Sequence, residues 1–344
     1  MNDKVNMKEI ARLAGLSTMT VSRVFSNKSC SEQTKKKVEA IAAKLGFYPN
    51  MLGRSLVMNR LDTVGVVVPN IIHAFFPRVI NAVEETLAKR GFNVFLCFSR
   101  DDAEVEAAKV RMLLGHRVAG IIMMPSLRSK LSAASAKMIL NQKCPLVLVD
   151  RIIEGIKTDC VGWQSEEAMD EIVNHLLSQG YKKLAYVCGE NEEWKNRGRT
   201  IGFFEALKKR GVKPFAYINC QNTEEDAFEK MQKLFSKKNR PDAVCCATDI
   251  LVDHTLFALK RLNISIPDEV ALTGFGGIIN SHNSILKVTT VEQDAEKMGE
   301  VAADLILKKI AEADKHLPHK IQKIRLPMKV SICESSIKRP KKTK

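Results

Sequence analysis

Two short amphipathic stretches near the start of the chain are separated by a glycine and a serine. In the first, apolar side chains recur at helical spacing up to Gly15, which suits the left-handed position at the end of a helix. Ser17 is a favourable N-cap for a second helix over residues 18–25, and a third amphipathic helix is predicted from about residue 31 to Gly46. This arrangement predicts a helix-turn-helix, although a plain pair of packed helices has the same periodicity.

Beyond residue 62 the pattern changes to short apolar strands that alternate with amphipathic helices. The strands predicted in the first part of this region are 64–68, 94–98, 119–125 and 146–150. The pattern then repeats, with strands predicted at 184–188, 215–218, 243–247, 270–274 and 324–330. Such alternation favours βαβ units and two similar doubly wound parallel sheets with a ligand cleft at the carboxyl ends of their strands.

The composition fits a folded protein of two or three domains. The 344 residues are 45% hydrophobic and 27% charged, and the first residues lack the apolar core of a signal peptide. With no apolar run long enough to span a membrane, a cytoplasmic location is expected. The nine cysteines are scattered without a C-x-x-C pair, so neither a disulfide framework nor a zinc site is indicated. We expect no metal and no cofactor.

Positive charge is concentrated at the two ends of the chain. The net charge is +15, and residues 1–60 hold eleven lysines and arginines against four carboxylates. Five more cations stand in residues 338–344, so little net charge remains for the long middle. This distribution favours phosphate contact by the N-terminal region. The tail is either a second electrostatic contact or a solvated basic end.

The outward face of the second predicted helix carries small or hydrogen-bonding groups suited to DNA. In a helix-turn-helix this helix lies in the major groove, where such groups meet base edges and phosphates. The candidate DNA-contacting residues here are Thr18, Met19, Thr20, Ser22, Arg23 and Asn27.

Several runs of residues resemble the lac-repressor (LacI/GalR) family. Those of the N-terminal region are 10–15, 20–24, 45–50 and 54–56, and those of the core include 65–69, 149–151, 199–203, 247–249 and 266–270. The resemblance covers residues 7 to about 330. It implies an all-α helix-turn-helix headpiece and an α/β two-lobed core similar to periplasmic binding proteins, with two doubly wound parallel sheets. It also implies that Thr18 and Met19 are the main base readers.

The resemblance divides the chain into four regions: a headpiece at 1–49, a hinge helix and linker at 50–61, an effector-binding and dimerisation core at 62–332, and a basic tail at 333–344. The core has two discontinuous lobes, an N-lobe of about 62–162 and 292–321 and a C-lobe of about 163–291 and 322–332. The three crossings between lobes are expected near 161–164, 290–294 and 320–324.

In this family the hinge helix folds on operator DNA and wedges a leucine between base pairs of the minor groove. Leu56 stands at that position, and Asn50, Leu52 and Gly53 are the other expected hinge contacts. Gly53 departs from the alanine that is usual there, and glycine costs about 1 kcal/mol in a helix interior, so this hinge should be harder to order. An ordinary flexible linker is the alternative.

The effector-binding residues implied by the resemblance are Asn70, Phe75, Asp150, Arg199, Thr248, Asp249, Gly276 and Gln293. Most have a structural alternative. Arg199 could form a surface salt bridge, and Asp150 could cap a helix or close the lobes. Asp249 could cap the helix that follows it. Phe75 or its neighbour Phe76 could belong to the core, and Arg197 is a weaker candidate than Arg199.

The run from Gly274 to Gly277 is the largest departure from the family, which mostly carries two aspartates after Gly-Phe or Gly-Tyr. Here both are glycine, so a carboxylate that commonly holds ligand hydroxyls is missing. The loop lacks the lysine and spacing of a P-loop. The effector class is therefore open, and a phosphorylated or acidic sugar is compatible with the loss.

The sequence as a whole predicts a transcriptional regulator and not an enzyme. It is expected to repress a carbohydrate-utilisation operon, to bind a pseudo-palindromic operator as a homodimer, and to respond to a sugar or sugar-derived effector. The tail carries no leucine heptad for a tetramer. Two alternatives share the α/β pattern. An exported sugar-binding protein should carry a signal peptide, and a Rossmann-type enzyme should carry G-x-G-x-x-G after its first strand.

Overall fold

The computed structural model describes residues 6–25, 30–47, 61–126, 129–189, 197–221, 223–278 and 286–339. The chain forms two compact units, Met1–Asp62 and Thr63–Lys344. The predicted DNA contacts Asn27, Asn50, Leu52, Gly53 and Leu56 lie outside the described residues.

The first unit contains the three predicted helices, α1 (Met7–Ala14), α2 (Thr18–Phe25) and α3 (Glu32–Lys44). Gly15 follows α1 in the left-handed region with φ of 64°, and the Ser17 hydroxyl accepts a hydrogen bond from the backbone N–H of Thr20 at 3.1 Å. Both caps are as the sequence predicts. The core of this unit is small and consists of Ile10, Ala11, Ala14, Val21, Val24, Val38 and Ala42.

The second unit contains two six-stranded sheets flanked by helices. Its strands are β1 (Leu61–Val68), β2 (Asn93–Phe98), β3 (Val118–Met123), β4 (Leu146–Val149), β5 (Asp159–Trp163), β6 (Leu184–Gly189), β7 (Ala216–Cys220), β8 (Ala243–Cys246), β9 (Ala271–Gly276), β10 (Thr289–Glu292), β11 (Lys323–Leu326) and β12 (Lys329–Ser331). Its helices are α4 (Phe75–Ala88), α5 (Ala103–Gly115), α6 (Ser129–Asn141), α7 (Ser165–Ser178), α8 (Arg197–Lys209), α9 (Glu224–Phe235), α10 (Asp249–Arg261) and α11 (Ala295–Asp314), followed by a 3₁₀ turn (Glu334–Ser336).

The two sheets have the same doubly wound order. The first sheet runs β11-β5-β4-β3-β1-β2 and the second β12-β10-β9-β8-β6-β7. Strand β12 pairs antiparallel with β10, whereas the other pairings recorded for the second sheet are parallel. The predicted pair of parallel-dominated α/β lobes is confirmed.

Two strands escaped the sequence pattern, and one predicted strand is wrong. Strands β5 and β10 lead directly into lobe crossings, and their short, partly polar sequences give no clear periodicity. The single strand predicted at 324–330 is two strands in different sheets, β11 and β12. They are separated at Pro327, whose ring nitrogen has no proton for a ladder hydrogen bond.

The chain crosses between the sheets at three places. It passes from β5 to α7 at residue 164, from β10 to α11 at 293–294, and from β11 to β12 at 327–328. The third crossing was predicted at 320–324, which is wrong, because residues 323–326 pair with β5 and belong to the first sheet. The C-lobe segment predicted at 322–332 therefore begins only after residue 326. Among the described helices, none combines the length and apolar character needed to cross a membrane.

A cluster of buried polar side chains joins the C-terminal segment to the second sheet through hydrogen bonds. The Ser336 hydroxyl lies 2.7 Å from His175 Nε2 on α7 and 2.6 Å from the hydroxyl of Thr289 on β10. The Ser335 hydroxyl donates to the carbonyl of Leu272 at 2.6 Å. Burial lowers the pKa of His175 below its usual value of 6.5, so the fold favours the neutral imidazole.

This cluster should make folding sensitive to acid. The unfolded chain takes up a proton on His175 near pH 6.5, whereas the folded chain does so only at lower pH. Stability contributed by the neutral ring is therefore complete above about pH 6.5 and is lost as the pH falls through that value. We expect the unfolding midpoint of the wild type to drop more between about pH 7.5 and 5.5 than that of His175→Gln, measured by thermal melts. Equal drops in the two proteins would contradict this assignment.

Candidate functional sites

The outward face of α2 presents an exposed set of side chains to solvent. Thr18, Met19, Ser22 and Arg23 are exposed, and Met19 keeps 70% of its surface accessible. Thr20 differs, because its hydroxyl lies 2.9 Å from the Ser17 hydroxyl and takes part in capping the helix. The face therefore offers two hydroxyls, a thioether and a guanidinium, which suit apolar and hydrogen-bond contact with base edges and phosphates.

A narrow cleft lies between the carboxyl ends of the two sheets of the core. It is lined by His73, Phe75, Phe76, Asp150, Arg199, Thr248, Ile250, Phe275, Gly276 and Gln293. Its volume is about 30 Å³, which holds about two water molecules, whereas ligand pockets measure about 300 Å³ or more. A sugar-sized ligand would therefore require the side chains or the lobes that line this cleft to move apart.

Arg199 is a buried cation that lines this cleft, and its contacts include two hydrogen bonds and an aromatic ring. It lies in the first turn of α8, is 92% buried, and donates from Nη1 to the carbonyl of Ala247 at 2.7 Å. Its Nη2 lies 3.4 Å from Gln293 Oε1, and its Cζ stands 3.9 Å from the centre of the Phe275 ring. Stacking and hydrogen bonds fix the planar fork, which is an arrangement suited to ligand oxygens.

The wall contributed by the first sheet is aromatic and carries one carboxylate. The Phe75 ring packs edge-on against Phe76 at 5.5 Å and against Trp163 at 6.3 Å. Asp150 follows β4 with φ of 64° and accepts a hydrogen bond from Trp163 Nε1 at 3.0 Å. The phenylalanines therefore belong to the core and also line the cleft, and Asp150 keeps acceptor capacity beside them.

The Asp249 carboxylate lies beside the loop of residues 274–277, here called the glycine loop, and supports it through hydrogen bonds. Its Oδ1 accepts from the Thr290 hydroxyl at 2.8 Å and its Oδ2 from the backbone N–H of Ile278 at 2.7 Å. A Cβ at Gly274 would overlap this carboxylate, and one at Gly276 would lie 3.3 Å from it. The Asp249 carboxylate thus fills space beside the two glycines, and Gly276 also has φ of 137°, which favours glycine.

Two other predicted effector residues use their polar groups locally. The Thr248 hydroxyl lines the cleft and caps α10, accepting from the Leu251 N–H at 3.4 Å. Asn70 is not among the residues that line the described cleft. Its Oδ1 accepts from the N–H groups of Ile72 and His73, at 3.0 and 3.4 Å, in a turn after β1. An asparagine side chain often accepts from the backbone N–H two residues further along a turn. This local hydrogen bond explains why Asn70 does not line the cleft, contrary to what the family resemblance implied.

Sequence reasoning did not single out three residues that line the cleft, His73, Ile250 and Phe275. Each of the three lies just after a strand or at its end. Their place at the carboxyl ends of parallel strands was therefore the feature of the sequence that could have predicted them. Arg197 begins α8, and its side chain lies outside the described residues.

Two family models match the chain. Residues 6–50 match the model described as bacterial regulatory proteins, lacI family, and residues 173–336 match a periplasmic binding protein-like domain. The lac repressor dimer bound to operator and the anti-inducer ONPF has the same fold, with a TM-score of 0.83, 21% identity, and coverage of 97% of this chain and 100% of that chain. The CelR–cellobiose complex gives a TM-score of 0.71 at 23% identity, covering 96% of this chain and 99% of that one.

Curated relatives match over nearly the full length. The HTH-type transcriptional repressor PurR of Mannheimia succiniciproducens is 29% identical over 90% of this chain and 92% of its own length. PurR of Aliivibrio salmonicida is 27% identical over 92% of this chain and 94% of its own length. These matches support a LacI-family regulator, a DNA-binding transcriptional repressor with an effector-binding core, and the relatives are repressors and not enzymes.

Proposed function

We propose that this repressor controls a carbohydrate-utilisation operon and that a sugar or sugar derivative bound in the cleft sets its operator affinity. The observation that carries the proposal is the buried Arg199, stacked on Phe275 and facing the aromatic wall of the first sheet. Sugars are held by flat apolar surfaces together with forked donors and carboxylate or amide acceptors. The cleft combines all of these with Asp150 and Gln293.

The missing carboxylates favour an acidic effector within this class. Gly276 lines the same cleft as Arg199, so an aspartate at position 276 would add to the cleft a carboxylate that this chain does not carry there. The Asp249 carboxylate is engaged with Thr290 and Ile278. A phosphate or carboxylate on the sugar would meet a buried cation, and such charge-assisted hydrogen bonds are about twice as strong as neutral ones.

On DNA, we assign base reading to Thr18 and Met19, and contact with base or backbone to Thr20, Ser22, Arg23 and Asn27. The hinge contacts, with Leu56 as the minor-groove wedge, remain a prediction from the sequence. An exposed methionine favours apolar contact with thymine methyl groups over hydrogen-bond readout.

The chain is proposed to act as a homodimer, and β2 offers a surface for pairing. It is the edge strand of the first sheet, and its Phe95 and Leu96 are 38% and 40% exposed. Exposed apolar side chains on an unpaired edge strand mark an association site. Two copies related by a twofold axis would present two headpieces to a pseudo-palindromic operator. Sedimentation equilibrium of the full chain tests this arrangement.

Effector control follows from the closed cleft. A ligand that needs more room than about 30 Å³ binds an open form better than the closed one, and so shifts the balance between them. Because the chain joins the lobes only at the three crossings described above, opening changes their relative orientation. We propose that this change alters how the hinge segments meet DNA.

Selection of genomic fragments by the full-length protein tests operator and target together. We expect a pseudo-palindrome beside a sugar operon, and weaker selection by Leu56→Ala. Fragments bound without sequence preference, and unchanged by Leu56→Ala, would refute both the operator and the hinge assignment.

Calorimetry then tests the effector class. Neutral sugars, sugar phosphates and purine bases are compared, since the curated relatives are named PurR. We expect a sugar phosphate to bind, and Arg199→Ala to weaken binding by about 100-fold, because a buried charged hydrogen-bond donor contributes about 3 kcal/mol. Arg111→Ala, on the exposed face of α5, is the matched control and should bind like the wild type. Binding of purine bases alone would overturn the carbohydrate proposal, and binding of neutral sugars alone would overturn its acidic form.

A further inference from the structure

The loops that enter the strands of the second sheet gather lysines at one edge of that sheet. Since β6, β7, β8, β9 and β10 run parallel, their entry loops share the edge opposite to the cleft. Six of the exposed lysines in these loops and in the C-terminal segment are here called the basic pole: Lys182, Lys183, Lys213, Lys237, Lys238 and Lys338.

Contacts join these loops into one surface. Lys183 Nζ donates to Asn239 Oδ1 at 2.7 Å, which links the entry loop of β6 to that of β8. Lys338 Nζ lies 5.0 Å from the centre of the Tyr181 ring and 3.4 Å from the carbonyl of Gly180. The C-terminal segment therefore lies along the entry loop of β6, and residues 340–344 continue from it with three more lysines in the sequence.

The carboxylates of the same loops are engaged by groups outside the six lysine side chains. Asp242 accepts backbone N–H groups of the β6 entry loop, at 2.8 to 3.0 Å. Glu269 pairs with Arg240 at 2.9 Å, and Asp268 with Arg339 at 3.6 Å. The lysines of the basic pole, together with Arg240 and Arg339, outnumber these three carboxylates, so this surface keeps a net positive charge.

Helix dipoles do not explain this accumulation. A dipole favours cations in the last turn of a helix, as at the ends of α8 and α10, and its effect falls off within that turn. Lys182 and Lys213 each stand four residues beyond the end of a helix, and Lys338 follows the 3₁₀ turn. A concentration of like charges in loops is unfavourable for folding, which points to a polyanionic partner.

We propose that the basic pole binds the phosphate backbone of a second DNA segment without reading its sequence. The proposal rests on the proposed DNA-binding function, under which duplex DNA is a polyanion that this protein meets. Lysines act as point charges toward phosphates, and release of counterions from DNA drives the contact. A lipid surface would need a larger apolar or aromatic group of side chains for insertion than Ile332 and Ile337, which are exposed in the described part of the C-terminal segment.

A two-step retention experiment tests the proposal with the full-length protein. The protein is first bound to an immobilised operator fragment, and a labelled duplex without an operator is then added at increasing salt. The test variant is the triple charge reversal K182E/K237E/K238E. The matched control K89E/R90E/K157E changes the net charge equally at exposed positions of the first lobe. A second variant, K182Q/K237Q/K238Q, removes the same three charges without adding carboxylates and is less disruptive to folding. Thermal melts show whether each of the proteins is folded.

We expect the pole variant to retain at least tenfold less of the second duplex than the wild type and the control. The slope of log affinity against log salt should become shallower by about 0.9 for each phosphate contact removed. The wild type and all of the variants should bind the operator in the first step. Failure of the wild type at that step would refute the proposed function and not this inference. Equal loss in pole and control variants would show a net-charge effect and overturn the proposal. Retention of polyglutamate in place of DNA would overturn it in favour of an acidic protein.

Discussion

Replacing Ile10 by alanine is expected to abolish operator binding while the two-lobed core keeps its wild-type unfolding midpoint. Ile10 is fully buried and is one of the seven buried residues that form the core of the described part of the first unit. Truncating a buried isoleucine to alanine costs about 2 to 5 kcal/mol. A domain of about 50 residues has little stability in reserve, so this cost should unfold the helix-turn-helix.

The measurement combines operator titration with a thermal melt of the full chain. We expect operator affinity to fall by at least 100-fold, which corresponds to about 3 kcal/mol, and the core transition to stay in place. Leu13→Ala is the matched control, because Leu13 lies on the same helix and is 45% exposed. An unchanged operator affinity in Ile10→Ala, or an equal loss in Leu13→Ala, would contradict the proposed role of this core.

Replacing Asp249 by alanine is expected to destabilise the core by about 3 kcal/mol and to loosen the glycine loop. The substitution removes the acceptor of the hydrogen bonds from the Thr290 hydroxyl and the Ile278 N–H. Asp249 is 96% buried, so water does not readily replace it. Hydrogen bonds to a charged acceptor contribute about 1.5 to 3 kcal/mol each, and part of the loss is recovered by relaxation. Asp249→Asn keeps one acceptor oxygen and should lie between the wild type and the alanine variant.

A double-mutant cycle of Asp249→Ala with Gly274→Ala measures the contact between the Asp249 carboxylate and position 274. It separates this contact from a general loss of stability. In the wild type the added methyl group would overlap Asp249 Oδ1 and would lie 2.7 Å from Val252 Cγ2. Removing the carboxylate first relieves the larger overlap, so the double variant should be more stable than the sum of the two single effects. The free energy of unfolding from urea denaturation gives the coupling. Strict additivity would show that the carboxylate does not fill this space.

The Asp249 carboxylate also bears on the effector. It occupies the neighbourhood in which many members of the family carry an aspartate after Gly-Phe, yet its oxygens are held by Thr290 and Ile278. Under the proposed function, ligand recognition then depends more on Arg199 and Gln293.

Local features of the chain could be predicted from the sequence because they depend on neighbouring residues. The caps predicted at Gly15 and Ser17 involve partners within three to four residues, and the structure confirms both. The main α/β elements followed from periodicity for the same reason, since the pattern of burial repeats within each element. The family resemblance rested on such local runs and was confirmed by the headpiece and core matches.

Features that join distant parts of the chain were decided only by the tertiary structure. Asp249 meets groups 29 and 41 residues away, and the strand expected at 324–330 is divided because its halves pair with different sheets. The lysines of the basic pole are scattered over more than 150 positions, and parallel strand order brings them to one edge. Sequence alone determined the elements and the family, because these depend on short-range pattern. Partners of buried carboxylates and the surface distribution of charge depend on chain topology, which brings together residues that no local pattern connects.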